Sequence, residues 1–141
     1  MQMVTIESLI DELDENGLTE STEKTEVCRP VTVSEWGNAL TLSYSEDTDG
    51  GEVLSLVSIN ADTVTVTRTG AIASEFTFCE KKRSTSLYKI PPYSFDAEIY
   101  TRKIRNNITR AGGVLTVLYD MTLGGARKCV RMKITLSGGG V

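Results

Sequence analysis

Short runs in which apolar and polar residues alternate recur along this chain at intervals of about ten residues. Clear runs occupy residues 40–44, 53–59, 64–68 and 130–136, and Gly, Asn, Asp or Pro residues separate them. Alternation with a period of two places one set of side chains on each face of a β-strand. No long helical pattern recurs between the runs, which argues against a parallel sheet with crossover helices. The pattern therefore predicts an all-β protein of antiparallel strands, arranged as a sandwich or a barrel.

The length of the chain fits one domain. Its 141 residues suffice for a single hydrophobic core. We predict one β-barrel domain over residues 1–136, in which residues 1–30 supply an N-terminal strand or short helix and a polar edge strand. Residues 137–141 are predicted to form a flexible, glycine-rich tail.

The first of those N-terminal elements has two interpretations. Ile6, Leu9 and Ile10 have the spacing of a helix face, and Gly17 is suited to end a helix. The alternative is a strand, because the Val-Thr-Ile sequence at its start is β-prone and an Asp-Glu-Asn-Gly turn follows it. We predict the strand and keep the short helix as the alternative.

One charged side chain breaks the expected division between interior and surface. If Val64 and Val66 point inward, Arg68 points inward as well, because all three lie on one face of a strand. Its guanidinium can anchor the carboxylate or phosphate of a ligand inside the barrel. The simpler interpretation is an ion pair within the protein, because a buried charge needs a partner. The candidate partners are Asp96, Glu98 and Asp120.

Tyrosines in the C-terminal half of the chain could line a ligand pocket, because each has an apolar ring that ends in a polar hydroxyl. We predict that Tyr88, Tyr100 and Tyr119 bind a ligand together with Arg68, whereas filling of the core by aromatic rings is the plainer alternative. The remaining predicted positions are structural turn residues, namely Gly70, Pro91 and Pro92.

The composition argues against several kinds of catalytic and metal-binding site. The chain has no histidine, which excludes histidine-dependent triads and the commonest zinc ligand. Its three cysteines, Cys28, Cys79 and Cys129, are far apart and form no CxxC pair. We therefore predict no metal site, no cofactor and no catalytic residue, and we expect the cysteines to stay reduced.

The net charge and the hydropathy limit which partners and which cellular location are expected. The net charge of −4 lacks the basic footprint of a nucleic-acid binder. No apolar run approaches the length of about 18 residues that a membrane span needs. The N-terminus has no basic region followed by an apolar stretch, so no signal peptide is expected. We predict a cytoplasmic protein that binds neither nucleic acid nor membrane.

Several segments together resemble a known family. They are residues 42–44 before an acidic loop, residues 68–70 (Arg-Thr-Gly) with Phe78 downstream, residues 88–93 (Tyr-Lys-Ile-Pro-Pro-Tyr), residues 99–101 with Ile104, and Gly113 before a strand ending in Tyr119 and Asp120. In order and spacing, from about residue 40 to residue 136, the set resembles the YwiB-like family of calycin-type β-barrel proteins of uncharacterised function. Ile90 and Ser94 depart from the pattern, which usually has Thr and Gly there.

The resemblance implies a lipocalin-like barrel in the bacterial cytoplasm and implies no known reaction. We therefore predict a single antiparallel calycin-like (lipocalin-like) β-barrel of about 8–10 strands. The function we favour is a non-enzymatic module that binds a small anionic or amphipathic ligand. A second hypothesis is a protein-interaction or structural barrel with a filled interior, acting as a homodimer. A third is an enzyme that works without histidine, through carboxylates or tyrosine.

Overall fold

The computed structural model describes residues 1–138, which form eleven β-strands and no helix. In chain order the strands are β1 (Met3–Leu13), β2 (Thr19–Pro30), β3 (Thr32–Trp36), β4 (Ala39–Thr48), β5 (Gly51–Asn60), β6 (Thr63–Gly70), β7 (Ser74–Cys79), β8 (Arg83–Ile90), β9 (Tyr93–Thr109), β10 (Gly112–Leu123) and β11 (Ala126–Ser137). Every ladder between them is antiparallel. The prediction of an all-β, antiparallel protein is confirmed.

The N-terminal segment is a strand, as predicted, and not a helix. β1 pairs along its length with β2 on one side and β11 on the other. The turn between β1 and β2 is organised by Asp14, whose carboxylate accepts hydrogen bonds of 2.9 Å from the backbone N–H groups of Asn16 and Leu18. β2 is the outer strand of its sheet and is exposed along almost its whole length. The predicted polar edge strand is therefore present.

The strands form two sheets that follow one another around a common interior. The six-stranded sheet has the order β2-β1-β11-β10-β9-β8, and the five-stranded sheet has the order β3-β4-β5-β6-β7. Within each sheet the ladders join strands that follow one another in the sequence, with one exception: β11 returns to pair with β1. The result is an up-and-down, barrel-like arrangement.

The strand count exceeds the predicted 8–10 because a proline divides one long strand. β2 ends at Pro30, which has no backbone N–H for a ladder, and β3 resumes at Thr32 in the other sheet. Between them the Val31 N–H donates to the carbonyl of Gln2 at 3.2 Å. The chain therefore passes from one sheet to the other by bending at the proline.

The two sheets meet again at a seam between β7 and β8, where backbone pairing is sparse. One isolated bridge joins Ala73 to Lys89, with hydrogen bonds of 2.9 and 2.8 Å. Further along, serine hydroxyls replace the ladder: Ser84 Oγ donates to the Thr77 carbonyl at 2.9 Å, and Ser86 Oγ lies 3.4 Å from the N–H of Glu75. Residues on both sides of this seam carry the candidate site described below.

One hydrophobic cluster fills the space between the sheets. Its side chains come from the inward positions of both sheets, which explains the alternation in the sequence. The largest of the fully buried side chains are Phe78, Leu42, Ile99, Leu115 and Ile134. Apolar burial of this kind is the main favourable contribution to folding.

A bulge in β9 changes which residues face the core. Tyr119 pairs with Thr101 while Leu118 pairs with Lys103, so Arg102 is an extra residue on β9. The buried positions before the bulge are Ala97, Ile99 and Thr101, whereas beyond the bulge the inward apolar position is Ile104.

The predicted turn residues lie at strand ends. Gly70 is the last residue of β6 and has φ of +107°. Pro91 and Pro92, joined by a cis peptide bond, form the two-residue connection between β8 and β9. At the C-terminus β11 extends through Ser137, and residues 139–141 of the predicted tail lie outside the described residues.

The position of Gly70 generates a test of the turn. A Cβ at Gly70 would lie 2.3 Å from the Glu52 carbonyl oxygen, whereas a Cβ at Gly37, with φ of +61°, meets nothing within 4 Å. Gly70→Ala is expected to lower the free energy of unfolding by roughly 2–4 kcal/mol, because backbone strain and a backbone clash add. Gly37→Ala, the matched control, should cost about 1 kcal/mol from the left-handed conformation alone. Urea unfolding of both variants measures this, and equal losses would contradict the close approach.

Candidate functional site

Four polar side chains form one row across the interior face of the five-stranded sheet. Arg68 on β6 is in register with Ser55 on β5 and Ser74 on β7, and Ser55 is in register with Tyr44 on β4. Tyr44, Ser55 and Ser74 are 5%, 1% and 7% exposed, and Arg68 is partly buried. We call these residues the interior polar row. The inward direction that alternation predicts for Arg68 is therefore the one observed.

Arg68 has no ion pair with any carboxylate among residues 1–138. The prediction that it pairs with Asp96, Glu98 or Asp120 is wrong. Glu98 lies 3.3 Å from Arg83, Asp120 lies 2.7 Å from Arg102, and Asp96 is exposed on the opposite face of β9 from Ala97. These acids face outward because strand alternation puts them opposite the buried residues beside them.

The phenol of Tyr44 is neutral and adjoins the guanidinium. Burial raises the pKa of Tyr44 above its usual value, while the nearby Ser55 hydroxyl and the positive charge of Arg68 act in the opposite direction. Although Ser55 lies close to Tyr44, its Oγ does not reach hydrogen-bonding geometry. Tyr44 therefore supplies a hydrogen-bond donor and no negative charge to the row.

Tyr119 faces the row from the six-stranded sheet. Burial raises the pKa of Tyr119 to about 12, and the positive charge of Arg68 opposes that rise. Its ring packs against Phe78 with centroids 4.6 Å apart. Tyr119 is therefore also neutral at pH 7 and lies within electrostatic range of Arg68.

The other two predicted tyrosines are separated by the barrel wall. Tyr88 stacks on Phe76 with centroids 6.0 Å apart, and it is close enough to Tyr119 to raise that residue's pKa. Tyr100 lies on the outer face of β9, where the guanidinium of Arg83 stands 5.2 Å from its ring centroid. The structure thus brings together Arg68, Tyr88 and Tyr119 but does not bring Tyr100 to them.

Three buried hydroxyls lack a hydrogen-bond partner in the described part of the chain. Two of them, Ser55 Oγ and Ser74 Oγ, flank Arg68, and the third, Thr101 Oγ1, belongs to the register partner of Tyr119. Most buried polar groups in folded proteins are hydrogen-bonded, because an unmet group costs free energy. Two unpartnered hydroxyls therefore flank a guanidinium that no carboxylate among residues 1–138 pairs with.

Sequence interpretation had passed over the row's hydroxyls, although a signal was present. Ser55 occupies an inward position of β5 between the buried residues Val53 and Val57. A polar residue at a position that alternation assigns to the core is the same kind of signal that identified Arg68.

The described residues contain neither a metal-binding cluster nor a membrane-spanning helix. No group of three or more Cys, Asp or Glu side chains among them is placed to hold a metal ion. None of residues 1–138 forms a helix of the length and apolarity needed to cross a membrane.

Comparison with known proteins gives one family, one curated relative and one solved structure. The family described as "Domain of unknown function (DUF1934)" matches residues 6–136. The "Uncharacterized beta-barrel protein YwiB" of Bacillus subtilis (strain 168) is 28% identical over 103 residues, which are 72% of either chain. The crystal structure of the ywiB protein from Bacillus subtilis matches with a TM-score of 0.80 at 24% identity, covering 99% of this chain and 92% of that one. The resemblance to the YwiB-like family and the barrel fold are confirmed.

The burial of Tyr119 predicts a loss of stability in alkali. The folded state holds the Tyr119 proton up to about pH 12, whereas the unfolded chain releases it near the ordinary value of 10.0. The folded state then binds more protons, so its stability is complete below pH 10 and falls as the pH rises towards 12, by roughly 2–3 kcal/mol. Urea unfolding across this pH range measures the loss. Tyr119→Phe should show a correspondingly shallower decline, and an unchanged slope in that variant would contradict the assignment.

Proposed function

This chain belongs to the family described as Domain of unknown function (DUF1934), and we propose that it is a non-enzymatic module that binds a small anionic ligand within its barrel. The observation that carries the proposal is Arg68, an inward guanidinium with no carboxylate partner among residues 1–138 and with unpartnered hydroxyls on both sides. An anionic group placed between them would satisfy the charge and the hydroxyls together.

The neutral state of the surrounding phenols supports an anion rather than a cation. Tyr44 and Tyr119 have raised pKa values, so neither offers a negative charge to Arg68 at pH 7. A carboxylate or phosphate can accept hydrogen bonds from Arg68, Ser55 and Ser74, which lie in one register row. Hydrogen bonds to charged groups contribute about 1.5–3 kcal/mol each. The apolar residues next to the row, such as Phe76 and Val66, suit the uncharged part of an amphipathic ligand.

The seam between β7 and β8 supplies the access route in this proposal. Ser74 follows directly on Ala73, whose bridge to Lys89 is the one backbone bridge across the seam in the described chain. Segments held by few backbone hydrogen bonds open at lower free-energy cost than core ladders do. Opening of the seam would expose Arg68 and Tyr88 to solvent without separating the strands around β10.

We further propose that the protein resides in the reducing interior of a bacterial cell. Cys28, Cys79 and Cys129 are free thiols, and thiols persist in that compartment.

A second candidate function rests on exposed apolar residues towards the tip of the β8–β9 hairpin. Leu87, Tyr93 and Phe95 are 50%, 64% and 37% exposed, and Leu87 and Phe95 line a surface cavity of about 750 Å³. Exposed apolar groups of this kind favour association, here with a second copy of the chain. This corresponds to the interaction hypothesis derived from the sequence.

Arg68→Met tests the ligand proposal. Native mass spectrometry of the wild-type protein purified from its own host is expected to show a bound small molecule, and the variant should lose it. Because no carboxylate pairs with Arg68 among residues 1–138, the free energy of unfolding should change by less than about 1 kcal/mol. Loss of half of a buried ion pair would instead cost about 3–5 kcal/mol.

The matched control is Arg102→Met, which removes an exposed arginine paired with Asp120 on the outside of the barrel. It should retain the bound mass. A wild-type protein that carries no small molecule and appears as a dimer would favour the second candidate over the first.

A further inference from the structure

A groove on the outer face of the six-stranded sheet is lined by four cationic side chains. Its residues are Lys103 and Arg105 on β9, Thr116 and Leu118 on β10, and Arg131 and Lys133 on β11. We call it the outer basic groove. Its volume is about 430 Å³, and it lies on the side of the wall opposite the interior polar row.

Strand register fixes the four cations at the corners of a rectangle. Thr116 pairs with Arg105 on one side and Lys133 on the other, and Leu118 pairs with Lys103 and Arg131. Corners on one strand are two residues apart, which is roughly 7 Å, and the two outer strands are separated by about 10 Å. The half-buried Thr116 and Leu118 form the floor between them. Long Arg and Lys side chains can therefore lean over the floor and converge on one ligand.

Acidic side chains compensate only part of the positive charge in the groove. No acidic residue lines the cavity, and the one ion pair made by its cations within residues 1–138 joins Lys133 to Glu7 at 3.9 Å. Two further acids border the groove. Asp120, further along β10, is held by Arg102 at 2.7 Å. The Glu80 carboxylate accepts a 2.7 Å hydrogen bond from the backbone N–H of Ile104. The groove thus concentrates a charge of about +3, Glu7 included, on a protein whose net charge is −4.

We propose that the outer basic groove binds a small anion that carries two linked phosphate groups. Arginine grips phosphate oxygens bidentately and lysine supplies a point charge, so two arginines and two lysines can hold two phosphates. A single phosphate group carries about −1.5 to −2, which the groove exceeds. The Thr116 hydroxyl adds a donor at the floor.

The dimensions and surroundings favour a small anion over a nucleic-acid chain. The cations occupy one patch of three strands, Glu7 and Asp120 border it, and none of its lining residues is aromatic. Single-stranded nucleic acids bind through extended basic channels with aromatic platforms, and the overall negative charge opposes a long polyanion.

Titration calorimetry with inorganic pyrophosphate tests the proposal. The wild type is expected to bind one pyrophosphate, with affinity that falls as salt is raised. The double variant Arg105→Gln with Arg131→Gln should bind at least tenfold more weakly. Lys82→Gln with Arg110→Gln removes the same two charges from exposed positions outside the groove, and this control should stay within twofold of the wild type.

Three outcomes would contradict pyrophosphate binding in the outer basic groove, and a fourth would replace it with another ligand. The proposal fails if the wild type does not bind pyrophosphate, or if both double variants lose affinity equally, which would indicate a general charge effect. It also fails if Arg68→Met abolishes binding while the groove variant keeps it, since the anion would then lie in the barrel. Groove-dependent binding of a mixed-sequence single-stranded oligonucleotide without pyrophosphate binding would replace it with a nucleic-acid surface. Thermal melting of each variant establishes that the protein remains folded.

Discussion

The ladder between β1 and β11 is the interaction on which the rest of the structure depends. Every residue of β1 pairs with a residue of β11, from Met3 with Ser137 to Leu13 with Arg127. This ladder joins the first and last strands of a meander whose other ladders connect neighbours in the sequence. It covers edges that would otherwise be open, and it brings Val4 and Leu136 into the shared core. Because its contacts are the most distant in the chain, the loop-closure entropy must be overcome before the interior can exclude water.

The interior so formed carries polar groups at a cost to stability. Each buried hydroxyl without a partner costs about 1–3 kcal/mol, and Ser55, Ser74 and Thr101 all lie in such positions. Apolar side chains of similar size would avoid that cost. Folds commonly depart from optimal core packing where a function requires it, and two of the three departures here, Ser55 and Ser74, flank one guanidinium. The interior polar row and the outer basic groove lie on different sheets and opposite sides of the wall, so they are chemically independent.

Sequence pattern predicted the strands and the direction of Arg68, because alternation is a property of each strand alone. It failed for the partners of Arg68 although alternation carried the signal. Glu98 and Asp120 adjoin the buried residues Ile99 and Tyr119, so alternation directs both acids outward and away from the interior. Tyr100 illustrates a signal that was present: its neighbours Ile99 and Thr101 are buried, so alternation puts Tyr100 outside. The bulge at Arg102 left no comparable signal, since nothing in the local residues requires an extra residue there. Pro30 itself indicated that a strand is interrupted there. Nothing in the sequence indicated that the chain then continues in a second sheet.

The serine-bridged seam between β7 and β8 gives the wall a mechanical property. A barrel whose neighbouring strands are all joined by continuous ladders has a fixed circumference. In this barrel, by contrast, β7 and β8 are joined only by the Ala73–Lys89 bridge and two serine hydroxyls, so the wall is easier to deform there. Its cross-section can widen along the seam while the ladders of β9, β10, β11 and β1 keep their register. The interior can therefore change its volume along the seam with less loss of backbone pairing than along any of those ladders.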